Sequence, residues 1–173
     1  ITFGKFVVTP GLRFEDIDLL RRDWSALPRN ASPSVKSNSV TAVLPSIGVL
    51  YNVNDQLSLL AGAYNGFGTP TTSDGVEEED AINFEFGGRY QKDDLLLELI
   101  AFTSDYENLV GECTASSSTG NCDIGDQFNG GEAKVKGFEF QLANITQLTD
   151  SLELPISLTY THTDAEFDST FDS

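Results

Sequence analysis

The side chains of this 173-residue chain that could do chemistry are few and scattered. Histidine occurs once, His162 in Tyr160-Thr161-His162-Thr163. A single imidazole with no credible nucleophile partner reads as structural rather than as a catalytic base. No Gly-x-Ser-x-Gly element is present either, so no catalytic residue is assigned and an enzyme is not expected. The two cysteines, Cys113 and Cys122, bracket the polar spacer Thr-Ala-Ser-Ser-Ser-Thr-Gly-Asn. With so short a spacer and no histidine beside it, a loop-closing disulfide is favoured over a metal site, which places that loop in an oxidising space.

Charge narrows the partners. Asp and Glu number 27 against 10 Lys and Arg, a formal charge of −17, and nucleic-acid affinity rests largely on cations, so that partner is excluded. Much of the acid sits in Glu77-Glu78-Glu79-Asp80 and in Asp164, Glu166, Asp168 and Asp172, which read as solvated surface. Neither the first run nor Asp123 to Gly131 has the alternating oxygen spacing of a helix-loop-helix Ca²⁺ site, and no metal centre is expected. Two charged groupings stand out. Arg21, Arg22 and Arg29 flank Trp24 in a polar stretch, and Arg13, Glu85, Arg89 and Glu139 recur at alternate positions within strand patterns.

Those patterns organise the chain. From Ile82 to Tyr90, Ile82, Phe84, Phe86 and Tyr90 alternate with Asn83, Glu85, Gly87 and Arg89, a period of two that predicts a strand. Gln91-Lys92-Asp93-Asp94 predicts a tight reversal, and Leu95 to Tyr106 returns with Leu95, Leu97, Leu99 and Ala101 on one side. A strand of that length is long enough to cross a bilayer when tilted. Similar patterns cover Phe6 to Glu15, Val40 to Val53, Leu57 to Tyr64, Ala133 to Leu142 and Leu152 to Thr161, about seven long strands in all. Pro10 predicts an edge or a bulge. Asp16 to Asn38, Gly66 to Asp80 and Glu112 to Gly131 predict long loops, the first with at most a turn or two of helix at Ile17, Leu20 and Trp24. Short turns thus alternate with long loops, as in outer-membrane barrels. Glycines and charges on the polar strand faces suit a wet or plugged lumen better than a dry sandwich core.

The segments TPGLRFE from Thr9, LPSIGVLYNVNDQLSLLAGAYNGFGTP from Leu44, INFEFGGRY with LLLELIAFTSDYENLVG, and EAKVKGFEFQL resemble, in order and spacing, the barrel of a TonB-dependent outer-membrane receptor, from its middle or C-terminal half. The resemblance implies an all-β antiparallel up-and-down meander, a fragment of a transmembrane β-barrel of about 22 strands with a plugged lumen. All of 1–173 is expected to be partial β-barrel domain, with the plug domain and the remaining strands absent. It further implies a Gram-negative outer-membrane location with extracellular loops, import of a ferric chelate powered through TonB, and the receptor's own plug and membrane lipid as partners. No resident cofactor is implied, because iron arrives as cargo.

Within that family a ferric-citrate or other carboxylate-siderophore ligand is expected. An anionic chelate needs guanidinium donors, and Arg21, Arg22, Trp24 and Arg29 would form the lip that supplies them. Arg13, Glu85, Arg89 and Glu139 are expected on the lumen wall, paired with one another or with the plug. The competing expectation is a β-sandwich binding module for a glycan or Ca²⁺. Expressed alone, seven strands cannot close so wide a barrel, so the piece is expected to self-associate through its sheet edges or to fold over into a sandwich.

Overall fold

A computed structural model describes residues 1–24, 32–72, 76–114, 125 and 127–168. Among these residues eight strands run in sequence order: β1 (Thr2–Phe3), β2 (Phe6–Asp23), β3 (Ser34–Asn52), β4 (Leu57–Gly68), β5 (Glu79–Lys92), β6 (Leu95–Glu112), β7 (Gln127–Thr149) and β8 (Leu152–Phe167). Each pairs antiparallel with the next in one open sheet, so the expected meander is present, with a two-residue β1 added before it. No described strand packs as a second sheet, which removes the sandwich. Among the described residues no helix is long and apolar enough to cross a membrane, which says nothing of strands.

Turn chemistry fixes the register at one end of the sheet. Asp93-Asp94 is a two-residue turn between the paired Lys92 and Leu95. Asp93 has φ +49°, a conformation that Asp tolerates and that tight hairpins of this hand require. At 53–56 the Asn54 side chain accepts the amides of Gln56 (2.9 Å) and Leu57 (2.8 Å), holding the reversal. Asp150-Ser151 closes β7 on β8 between Thr149 and Leu152.

Three strand prolines lie where no ladder amide is needed. Pro10 is on β2 beyond the stretch that β1 covers, Pro155 is on the terminal strand β8, and Pro45 stands just past the last β3–β4 pair, Ser46 with Tyr64. The expected edge at Pro10 is therefore found, and no bulge interrupts the β2–β3 register there.

The register also sorts the side chains into two faces. The cross-strand row Gly11, Ser46, Tyr64, Asn83, Ser104, Val135 and Ala165 lies on one face, here called the inner one. Of the buried residues within strands, Val40, Ala42, Leu44, Ala81 and Asn83 all belong to it. Its opposite carries large apolar side chains left in the open: Leu12 at 74 % exposure, Phe14 at 65 %, Phe86 at 62 % and Leu99 at 51 %. Water-soluble sheets bury the apolar face. Polar within and apolar without is the arrangement of a strand wall facing lipid. Aromatic rings mark both borders of the outer band: Phe6 against Tyr51 (centroids 4.6 Å) near the short turns, and Phe138 against Tyr160 (5.8 Å) and His162 (5.7 Å) nearer the other end.

The expected loops need correction. Asp16 to Asp23 continues β2 rather than entering a loop or a helical turn, and Ser34 already begins β3. The second and third connections likewise shrink to 69–78 and 113–126, with Asn129-Gly130-Gly131 inside β7. The reason is physical: beyond the apolar band both faces of a strand are polar, so the alternation fades while the backbone ladder continues. β7, at 23 residues, is about twice the 9–11 that cross a bilayer.

Candidate functional site

All four charged residues expected on a common wall, Arg13, Glu85, Arg89 and Glu139, share the inner face. They do not pair with one another. Arg13 is held by Glu15, two positions along the same strand, and Arg89 by Glu98 on β6. Glu85 accepts a hydrogen bond from the Tyr64 hydroxyl at 3.2 Å. Among the described residues Glu139 has no ion pair; it lines a hollow with Tyr64, Asn83, Glu85, Phe102 and Ser104. Asn83 is 7 % exposed with both polar atoms of its side chain bonded, Oδ1 accepting from the Ser104 hydroxyl at 2.6 Å and Nδ2 donating to the Tyr64 carbonyl at 3.3 Å. Such satisfaction is what a buried amide requires. A larger groove of about 960 Å³ runs over β2 to β6 past Arg13, Ser46, Tyr64, Glu85 and Arg89.

Small residues give this face its room. At Gly137 a β-carbon would run into the His162 carbonyl oxygen and the Phe102 ring, and at Gly87 into the Leu99 carbonyl oxygen and the Ile100 side chain. Phe102 and Ile100 are the cross-strand partners of those glycines and lie over them.

The arginine lip is divided. Arg21 and Arg22 are consecutive strand residues and so project to opposite faces. Arg21 is on the inner face, opposite Lys36 and bonded to Asp23 at 2.9 Å, whereas Arg22 is on the outer face opposite Val35. Trp24 follows directly after β2, half-exposed at 46 %. Arg29 lies outside the described residues. So does Cys122; Cys113 is 1 % exposed and disulfide-bonded. No group of three or more His, Cys, Asp and Glu among the described residues could hold a metal ion.

Electrostatics at the long-connection end follow from the register. Asp80 stands opposite Glu107. Burial, with the charges of Glu78 and Glu107, raises its carboxyl above the ordinary value. Lys134, bonded to Asp105 at 3.0 Å, is raised by that bond and charge.

Residues 1–173 match the family described as TonB dependent receptor-like, beta-barrel, over the whole length. The chain belongs to the TonB-dependent receptor β-barrel family. Among curated relatives, the ferric enterobactin receptor of Pseudomonas aeruginosa is 26 % identical over 170 residues, covering 89 % of this chain and 22 % of that receptor. The metal-pseudopaline receptor CntO of the same organism is 31 % identical over 165 residues, covering 90 % and 21 %. The unliganded ferric citrate transporter FecA superimposes with a TM-score of 0.68 at 27 % identity, covering 96 % of this chain and 24 % of that one. The ferric-catecholate import receptor Fiu from E. coli K12 shares the fold at a TM-score of 0.70 and 18 % identity, with 96 % and 26 % covered. The chain therefore spans between a fifth and a quarter of these curated relatives' length. TonB-dependent receptor barrels of this kind are outer-membrane receptors, which accounts for the inverted faces.

Sequence reasoning did not single out Glu15, Glu98, Tyr64, Asn83 and Ser104 as site residues of the inner wall. For Glu98 a signal existed: the two-residue turn at Asp93-Asp94 puts it opposite Arg89. For Asn83 and Ser104 the alternation marked the face but not the bond between them.

Proposed function

We propose that this chain is part of the wall of an outer-membrane receptor that imports a ferric chelate with energy delivered through TonB, its long connections facing outside the cell. The observation that carries the reading is the inverted sheet, apolar and exposed outside, polar and half-buried inside, in a chain of this family. Iron is the cargo of the chelate and no resident cofactor is involved.

The ligand is a carboxylate-type ferric chelate, ferric citrate being the leading case. Arg21 and Lys36, facing each other on the inner face at the long-connection end, supply the cations such an anion needs, and identity with FecA is 27 %. Asp23 offsets part of that charge, so Trp24 and Arg29 complete the lip in this reading.

The receptor's own plug domain faces the inner wall. Arg13 and Arg89 already have carboxylate partners, while Glu85 and Glu139 have no cationic one among the described residues; in this reading these two carboxylates meet basic groups of the plug. Outer-membrane lipid covers the face bearing Phe86 and Leu99. In isolation the open edges at β2 and β8 associate with copies of the chain.

The test is uptake of radiolabelled ferric citrate, against other ferric siderophores, by cells carrying the full-length receptor with and without intact TonB. TonB-dependent entry of ferric citrate supports the whole reading. Entry of another chelate alone removes the ligand assignment, and no iron entry removes the iron reading.

A further inference from the structure

Asn38 on β3 and Asn129 on β7 hold two consecutive residues of the β4–β5 connection from opposite sides. Asn38 Nδ2 donates to the carbonyls of Thr71 (2.8 Å) and Val76 (3.0 Å), while its Oδ1 accepts the Ser39 amide at 2.9 Å. Asn129 Oδ1 accepts the Glu77 amide at 2.6 Å, and its Nδ2 donates to the carbonyls of Glu77 (3.0 Å) and Asn108 (2.8 Å). The Asn129 amide thus meets both main-chain groups of Glu77, as a neighbouring strand would. Asn108 sits in the bulge between Tyr106 and Leu109 with φ +56°, and the broken ladder there leaves its carbonyl in need of a partner. A third tie runs from the Val110 amide to Glu79 Oε1 at 2.8 Å.

Strands β3 and β7 are four positions apart, which in a flat sheet means about 19 Å. Two asparagine side chains, their hydrogen bonds and one peptide unit together reach roughly 15 Å. The strand ends must therefore lean toward each other over the inner face, where Asn38 itself lies opposite Leu19. Val76 is 4 % exposed and Pro70 is buried, at the same end as buried Val40 and Ala42. Two amides with every polar atom engaged, and apolar residues buried beside them, describe a fixed crosspiece.

We infer that Asn38 and Asn129 are positioning residues that brace Val76 and Glu77 across the mouth of the inner face, and that the width this brace leaves sets which chelates pass. The brace stands on geometry alone; its role in selection rests on the proposed uptake function.

The experiment uses the full-length receptor in lipid. Hydrogen exchange at the Glu77 amide is measured in the wild type and in Asn129→Ala, and at the same position in Asn38→Asp, which keeps the side-chain shape but faces two carbonyls with acceptors. Slow exchange in the wild type, at least about tenfold faster in both variants, is expected from loss of hydrogen bonds of ordinary strength. Fast exchange in the wild type overturns the brace without needing any variant to fold. In parallel, uptake of a small and a bulky ferric chelate is compared. The bulky one should gain on the small one by several-fold in both variants; an unchanged ratio beside accelerated exchange overturns the selective role. A wild type that imports no ferric chelate defeats the uptake function instead, and leaves the exchange result standing.

Discussion

Arg89 on β5 stands directly opposite Glu98 on β6, and its Nε donates to the Glu98 carboxylate. The pair occupies the polar inner face, where Arg89 keeps 47 % of its side chain exposed and Glu98 19 %. The bond therefore competes with water on one side, and its strength is that of a surface pair rather than of a buried one.

Removing it should be mild. Glu98→Gln in the full-length receptor is expected to cost no more than about 1 kcal/mol of unfolding free energy, against about 3–5 kcal/mol for breaking a buried pair. Denaturant titration in lipid, with an Arg89/Glu98 double-mutant cycle, reads the difference. A loss of several kcal/mol would mean that the plug seals this face from water.

The glycines separate into two kinds. Gly137→Ala should lower stability by about 1–3 kcal/mol, because the added methyl meets the His162 carbonyl and Phe102 together and a strand backbone cannot yield. At Gly62 the nearest atom to an added methyl is the Ile47 carbonyl oxygen at 3.8 Å, an ordinary contact, and Gly62→Ala should be nearly neutral. Heat-modifiability of the folded barrel on gels compares the two. Equal behaviour would remove the distinction.

The two faces should answer oppositely to the same charge. Leu99→Lys, on the exposed apolar face, is expected to cost about 2–4 kcal/mol if that face meets lipid near the midplane. Gln141→Lys, on the inner face of β7, should leave assembly intact. Yield of folded receptor in the outer membrane decides it, and a tolerated Leu99→Lys would argue against lipid contact there.

Asp80 is expected to make stability fall as pH rises. Its folded-state carboxyl is raised by burial and by Glu78 and Glu107, so the folded chain binds the proton more tightly than the unfolded one. The favourable contribution is complete below the ordinary carboxylate value and is lost as pH climbs through the raised one. Asp80→Asn should flatten that part of the stability-versus-pH curve and stabilise the receptor at neutral pH. Melting curves from pH 4 to pH 8 test this; an unchanged slope in the variant would assign it to other groups.

Much of this fold was written in local pattern. Alternation at Ile82 to Tyr90 and Leu152 to Tyr160 required strands, Asp93-Asp94 set the β5–β6 register and with it the opposition of Arg89 and Glu98, and Pro10 marked an edge. Those features depend on neighbours a few residues away, which a period of two and a turn can encode. The pattern failed past the apolar band, where Asp16 to Asp23 stays in the ladder although both faces are polar. It also grouped Arg21 with Arg22, which a continuous strand sends to opposite faces. Tertiary structure alone decided that Arg13 turns to Glu15, and that Asn38 and Asn129 grip Val76 and Glu77 from strands four positions apart. Such contacts join a side-chain amide to the backbone of a residue 38 or 52 positions away. Their energy depends on where the curved sheet brings the two together, and nothing in either residue's own neighbourhood carries that information.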